Sequence, residues 1–313
     1  MRDNYHHSSD IFKFLTEKHD QGQSCALVVI VGIHGGTMRE SGAMMAVTDS
    51  GEVAGYISSG CVDADIVHQA QQVITNGQPM LVKYGKDSPF KDLELPCGGS
   101  IEVLVMTNLD SEIVTIAHQS LQQRLEITLR FSEQNLMTIE RESSQIVEQG
   151  EGDFVCLYKP KIRLRLVGRG AVVSELAKQA IQSRLDVYLQ SPEKKIVEGL
   201  NPNHFVHLID PHNPPASMDD AYTAVVLLFH DHEWEPALLK QALAGNAFYI
   251  GAMGSLRTHA IRCARLSDLG VSNAQIDRIK APLGIIPFMR DANLLALSTL
   301  AEIIKEAQIL KRL

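Results

Sequence analysis

Two glycines between an apolar strand run and a helix constrain this chain more than any other feature. Ile162–Val167 reads as a strand, and Gly168 and Gly170 stand in the turn LVGRGAVVSELA that follows. Ala171–Gln182 then places Val172, Leu176, Ala180 and Ile181 close to one helical face. In a dinucleotide-type fold the first glycine permits the tight turn, and the second lets the backbone approach a phosphate at the positive helix end. Val173 replaces the third glycine of that pattern, and Ser191 stands where an acidic residue would hold a ribose hydroxyl. The same turn also suits a mononucleotide-type fold that binds nothing or only an anion.

The rest of the second half continues the alternation. Strands are expected at Val187–Gln190, Phe205–Ile209, Ala224–Phe229 and Phe248–Ile250, with helices at Pro236–Ala244, Arg257–Leu269 and Asn293–Leu310. That order implies a parallel sheet covered on both faces. The first half reads as α+β, with short helices at 11–19 and 64–75 and strands at Cys25–Ile33, Met44–Thr48 and Val103–Thr107. From Ser111 to Gly152 the composition shifts to Gln, Glu and Ser, with edge strands expected at Leu125–Phe131 and Leu136–Ile139. The fold class is therefore α/β: an N-terminal α+β domain, 1–155, followed by a C-terminal doubly wound parallel-sheet domain, 160–313.

Composition limits the partners. The 313 residues, 45% hydrophobic and 21% charged, describe ordinary globular domains with room for two cores. Twenty-nine basic against 37 acidic residues argue against nucleic acid as the main partner. The opening MRDNYHHSSD lacks a cationic start leading into an apolar core, and the most apolar runs, Ala26–Ile33 and Ala224–Phe229, are too short to cross a bilayer. A cytoplasmic protein without a membrane partner is expected. Five cysteines with no CxxC pair favour free thiols.

Two of these thiols lie in glycine turns. SSGCVDAD puts Cys61 at the amino end of a helix, where dipole and amides favour thiolate. LPCGGSIEV puts Cys97 beside Gly98 and Gly99, which leave room for a ligand. GGTMRESGAMM offers Thr37 and Arg39 as a grip on a carboxylate or phosphate. In the second half, HDHE, His230–Glu233, follows a strand and suits a polar pocket wall better than a metal site. YIGAMGS brings Gly251, Gly254 and Ser255 into another strand-to-helix turn ahead of Arg257. Each feature has a purely structural alternative: a packed small cysteine, a tight turn or a helix start.

Seven segments in order give the chain a resemblance: GGTMRESGAMM, GYISSGCVDAD, LPCGGSIEV, LVGRGAVVSELA, FHDHEWEPALL, FYIGAMGSLRTHA and IKAPLG. Together they resemble the XdhC-type accessory proteins, which mature molybdenum hydroxylases such as xanthine dehydrogenase. The resemblance implies a Rossmann-like C-terminal domain, binding of molybdenum cofactor (molybdopterin), association with a cysteine desulfurase, and delivery to a molybdenum hydroxylase client. It puts Cys61 beside the metal or in sulfur transfer, with Cys97 as second candidate. Gly36, Thr37, Arg39, Ser59, Gly60, Gly98 and Gly99 become cofactor-binding candidates in the first domain. Gly168, Gly170, Ser191, His230, Gly251, Gly254 and Ser255 are those of the second, where a nucleotide is a further candidate ligand. A homodimer is expected. Two other readings compete: an NAD(P)-dependent oxidoreductase with His230 or His232 as proton donor, and a scaffold whose second half only dimerises.

Overall fold

The computed structural model describes residues 7–58, 60–86, 88, 98–132, 136–139, 147–148, 153–217, 219–229, 233–287 and 289–313. The chain divides into two compact units, Met1–Pro160 and Lys161–Leu313.

In the first unit the elements run α1 (Ser8–Asp20), β1 (Cys25–His34), β2 (Met44–Thr48), β3 (Val53–Gly55), α2 (Asp63–Asn76), β4 (Met80–Gly85) and β5 (Ser100–Met106). They continue with α3 (Ser111–Gln122), β6 (Ile127–Ser132), β7 (Leu136–Ile139), β8 (Val147–Glu148) and β9 (Asp153–Tyr158). Among the described residues, an antiparallel sheet of order β3-β2-β1-β5-β4 carries β1 at its centre, and a second sheet has order β7-β6-β9-β8. The run CALVVIV is apolar throughout because both faces of β1 are covered. Leu27 and Val29 pack with Phe12, Leu15, Val114 and Leu121 of α1 and α3. Ala26, Val28 and Ile30 pack with Ile66, Ala70 and Val73 of α2.

The helix α3 was not expected in the Gln- and Ser-rich stretch. It forms because Asp110 caps it, accepting from the amides of Glu112 and Ile113, and because Val114, Ala117 and Leu121 recur on one buried face.

The second unit comprises β10 (Arg163–Gly168), α4 (Ala171–Gln182), β11 (Asp186–Ser191), β12 (His204–His207), β13 (Thr223–Leu228), α5 (Glu235–Ala244) and β14 (Tyr249–Ala252). After these come α6 (Leu256–Asp268), α7 (Asn273–Ile276), β15 (Ile279–Lys280) and α8 (Ala292–Ile309). The described strands pair in parallel in the order β12-β11-β10-β13-β14-β15. The chain starts centrally, winds to one edge and returns to wind to the other, so the direction reverses between β10 and β13, beside the Gly168 turn. Leu164, Leu166 and Val226 meet α4 and α8 on one face, and Val167, Val225 and Leu227 meet α5 on the other.

Arg165 breaks the apolar pattern: it is fully buried, 3.4 Å from Asp219, and donates to Gln241 at 2.8 Å. Burial lowers the Arg165 pKa and raises that of Asp219, each shift opposed by the partner charge. The pair ties the β12–β13 connection to the sheet. No helix among the described residues is long and apolar enough to cross a membrane.

Candidate functional site

The register of the first sheet gathers the expected turns at one end. His34 pairs with Ser100, Val29 with Met44, and Met45 with Gly55, so the β1–β2 turn, the β3–α2 turn and the Gly98–Gly99 turn leave from the same sheet end. Gly99 shows why side chains are excluded there. A Cβ on it would lie 2.5 Å from the Gly36 oxygen and 2.9 Å from the His34 oxygen, both rigid backbone atoms. Arg39 stacks its guanidinium 4.5 Å over the Tyr56 ring, bringing the first turn to the second. The Thr37 hydroxyl donates to the Arg39 carbonyl at 2.7 Å and accepts its amide at 3.0 Å, which closes the turn locally.

Cys61 is exposed on the β3–α2 turn, two residues before the helix. The turn is fixed by Asp63, whose carboxylate accepts the amides of Ile57, Ser58 and Gly60 at 3.0, 2.8 and 2.7 Å. The Ser58 hydroxyl accepts the amide of Val62 at 2.8 Å. The three amides of this turn are therefore held by the protein itself, and Arg39 brings a cationic group to this end. Gly60 and Gly98 have φ of 109° and 69° and nothing within 4 Å of an ideal Cβ, so open space lies over their backbone. Ser59 and Cys97 lie outside the described residues.

Other thiols differ sharply. Cys25, half-buried at the opposite end of β1, is pushed up to about 11 by burial and by Asp49. Cys156 is pushed up to about 11, again by burial first.

In the second unit Gly168 packs against the backbone of Leu228, where a Cβ would lie 2.5 Å from the carbonyl oxygen. Gly170, with φ 85°, has open space at its Cβ position. Its amide donates to Glu193 Oε2 at 3.4 Å, so an internal carboxylate sits where a phosphate was expected. Ser191 is fully buried and accepts the amide of Glu193 at 3.1 Å. The acidic group at this strand end comes from Glu193, two residues later than the usual pattern.

Gly251 is a packing glycine, since a Cβ would lie 2.6 Å from Leu283 and from the Tyr249 ring. Ser255 caps α6 by accepting the amide of Thr258 at 3.2 Å, and Gly254 lies just before it with φ 134°. Arg262 was not singled out by sequence. It is 2% exposed, pairs with Glu235 at 2.8 and 3.2 Å and donates to the Met253 carbonyl at 2.6 Å. This binds α5, α6 and the carboxyl end of β14 together. His230 and His232 lie outside the described residues, and no cluster of three metal-ligating side chains occurs among those described.

Residues 19–85 match the XdhC and CoxI family, and residues 164–303 match the XdhC Rossmann domain. Over 294 residues the chain is 32% identical to the molybdenum cofactor insertion chaperone PaoD of Escherichia coli (strain K12), spanning 94% of this chain and 86% of that protein. The chain belongs to the XdhC family. Both thiol-free and thiol-bearing turns described above fall inside the matched segments, except the Gly98–Gly99 turn. A second Escherichia coli relative, the uncharacterized protein YqeB, is 22% identical over 310 residues, which is 95% of this chain and 46% of YqeB. The crystal structure described as a xanthine dehydrogenase from Bacillus halodurans superposes with a TM-score of 0.73 over 95% of each chain. At 20% identity that likeness shows the fold alone.

Proposed function

We propose that this chain is a carrier that receives molybdenum cofactor at the thiol-bearing end of its first unit, shelters it, and inserts it into a molybdenum hydroxylase. The observation that carries this reading is Cys61: an exposed thiol on a carboxylate-clamped turn, at the sheet end where Gly36, Arg39 and Gly99 meet. The cargo is a pterin with a phosphate and a dithiolene-held metal. A soft thiolate suits that metal, a guanidinium suits the phosphate, and side-chain-free backbone suits a flat pterin. Cys61 therefore faces the metal or takes part in sulfur transfer, with Cys97 as the second thiol. Thr37 holds Arg39 in place, and Gly36, Ser59, Gly60, Gly98 and Gly99 form the wall.

The relationship to an insertion chaperone supports a maturation role rather than turnover of a substrate. A cysteine desulfurase as sulfur source, a xanthine dehydrogenase-type client, a homodimer and a cytoplasmic location belong to the same proposal. The second unit adds a nucleotide site at Gly168, Gly170, Ser191, His230, Gly251, Gly254 and Ser255. There a phosphate must displace Glu193 from the Gly170 amide.

Reconstitution tests the reading. Protein preloaded with molybdenum cofactor should activate a cofactor-free molybdenum hydroxylase faster than free cofactor does. No acceleration, together with saturable micromolar NADH binding, would favour an oxidoreductase and overturn it.

A further inference from the structure

A cleft of about 310 Å³ opens in the first unit at the end of β1 remote from Cys61, between the last turn of α1 and the first turns of α3. That volume lies at the small end of the range for small-molecule sites. Its frame is built before any ligand arrives. The Thr107 hydroxyl donates to the Cys25 carbonyl at 3.1 Å, the Gln23 amide closes on the Lys18 carbonyl at 3.0 Å, and Asp110 caps α3. The thirteen lining residues include no Asp, Glu, Lys or Arg, although 21% of the chain is charged. Five of the thirteen are Ser or Thr. Thr16 and Thr107 spend their protons on backbone carbonyls and keep oxygen lone pairs to offer, while the hydroxyls of Ser24, Ser111 and Thr115 bond to no group among the described residues. Gln23, in the same wall, keeps its Oε1 buried without a hydrogen-bond partner. Leu15 and Val114, 3% and 4% exposed, give the cleft an apolar floor. Beside them Cys25 is a neutral thiol, pushed up to about 11 by burial and by Asp49.

We propose that this cleft binds an uncharged cyclic polyol of monosaccharide size. A ligand bearing a carboxylate, phosphate or ammonium group would leave water for a wall that holds no counter-charge, and that desolvation is costly. A neutral ring with hydroxyls on its rim loses little. Its C–H face covers Leu15 and Val114, and its hydroxyls exchange hydrogen bonds with Ser24, Ser111 and Thr115, each of which can donate or accept. The carrier reading makes no use of this end of the sheet, so the two stand or fall separately.

The probes are three sugars of one size: glucose, its carboxylate glucuronate and its ammonium analogue glucosamine. Ligand-observed NMR titration of the full-length chain near neutral pH should give saturable glucose binding in roughly the millimolar range expected of so small a ligand. Both charged sugars should bind about tenfold more weakly or worse. Thr115→Phe fills the cleft from α3 and should weaken glucose binding about tenfold or more, whereas Thr115→Ser keeps the hydroxyl and should stay within about threefold of the unaltered chain. Should Thr115→Phe fail to fold, Cys25 decides in the unaltered chain. Saturating glucose must then slow its reaction with N-ethylmaleimide about threefold or more, while Cys61 reacts at an unchanged rate. No saturable glucose binding, equal binding of all three sugars, or undiminished binding by a folded Thr115→Phe protein overturns the proposal. An unprotected Cys25 at saturating glucose does the same.

Discussion

Replacing Asp63 with alanine should loosen the turn that presents Cys61, and the structure sets the scale. The carboxylate accepts three amides, of which Ile57 and Ser58 belong to residues only 1% and 7% exposed. Water cannot stand in for the lost acceptor at those two positions. A buried donor left unpaired costs about 1–3 kcal/mol, so two place the loss near 3 kcal/mol or somewhat above. The Gly60 amide is exposed and adds little, because water reaches it. For a unit of this size the loss corresponds to a Tm lower by about 6–12 °C, at roughly 2–4 °C per kcal/mol. Asp63→Asn keeps Oδ1, the acceptor of the Ile57 and Ser58 amides, and gives up only the Oδ2 contact with the exposed Gly60 amide, so it should lose about 1 kcal/mol or less. Calorimetry on both variants gives the stability, and a Cys61 labelling rate gives the local effect. A Tm drop below about 2 °C for Asp63→Ala, with Cys61 labelling unchanged, would refute the clamp.

Burial holds Cys25 and Cys156 up at about 11, so only about 10⁻³ of each is thiolate at pH 8. Iodoacetamide at that pH should label Cys61 far ahead of both, and equal rates in peptide mass spectrometry would contradict their burial. Arg262→Ala leaves the Glu235 carboxylate buried without its cation, which should cost about 3–5 kcal/mol by denaturant titration. A loss under about 1 kcal/mol would mean that the pair does not hold the helices. His118 is held below its usual 6.5 by burial and by Lys13, so the unfolded chain takes up a proton that the folded chain resists. Its contribution is complete above about pH 6.5 and declines as pH falls below that, since the unfolded state then binds more protons. His118→Gln should flatten the fall in Tm between about pH 7 and pH 5; an unchanged slope would show that His118 is not responsible.

The second unit was the more legible because each strand is a continuous apolar run ended by a helix signal. The segment Ala171–Gln182 was read with its observed limits, and its neighbours to within a few residues. Its parallel sheet, covered on both faces, follows from that alternation. In the first unit β1 was plain and α3 was hidden, because its Gln- and Ser-rich outer face outweighed the Val114, Ala117 and Leu121 stripe. Side-chain closures across loops were not legible. Glu193 reaches the Gly170 amide, and Arg165 meets Asp219 54 positions later; only the folded chain brings those groups together. Asp63 was visible as the acid after the Cys61 turn, but its three-amide grip depends on the turn curling back over it. The glycines divide in the same way. Gly99, Gly168 and Gly251 serve close packing, while Gly60, Gly98 and Gly170 leave open space. A sequence motif alone does not separate those two roles.

Cofactor retention tests the central assignment most directly. The full-length chain and its Cys61→Ala variant are incubated with released molybdenum cofactor under anaerobic conditions and desalted, and the molybdenum and pterin that stay with each protein are measured. The unaltered chain should retain close to one equivalent, and the variant, folded by calorimetry, should retain about a tenth of that or less, the loss of one metal–thiolate contact being worth at least tenfold. Equal retention by both proteins would contradict a role for the Cys61 thiol in holding the cargo.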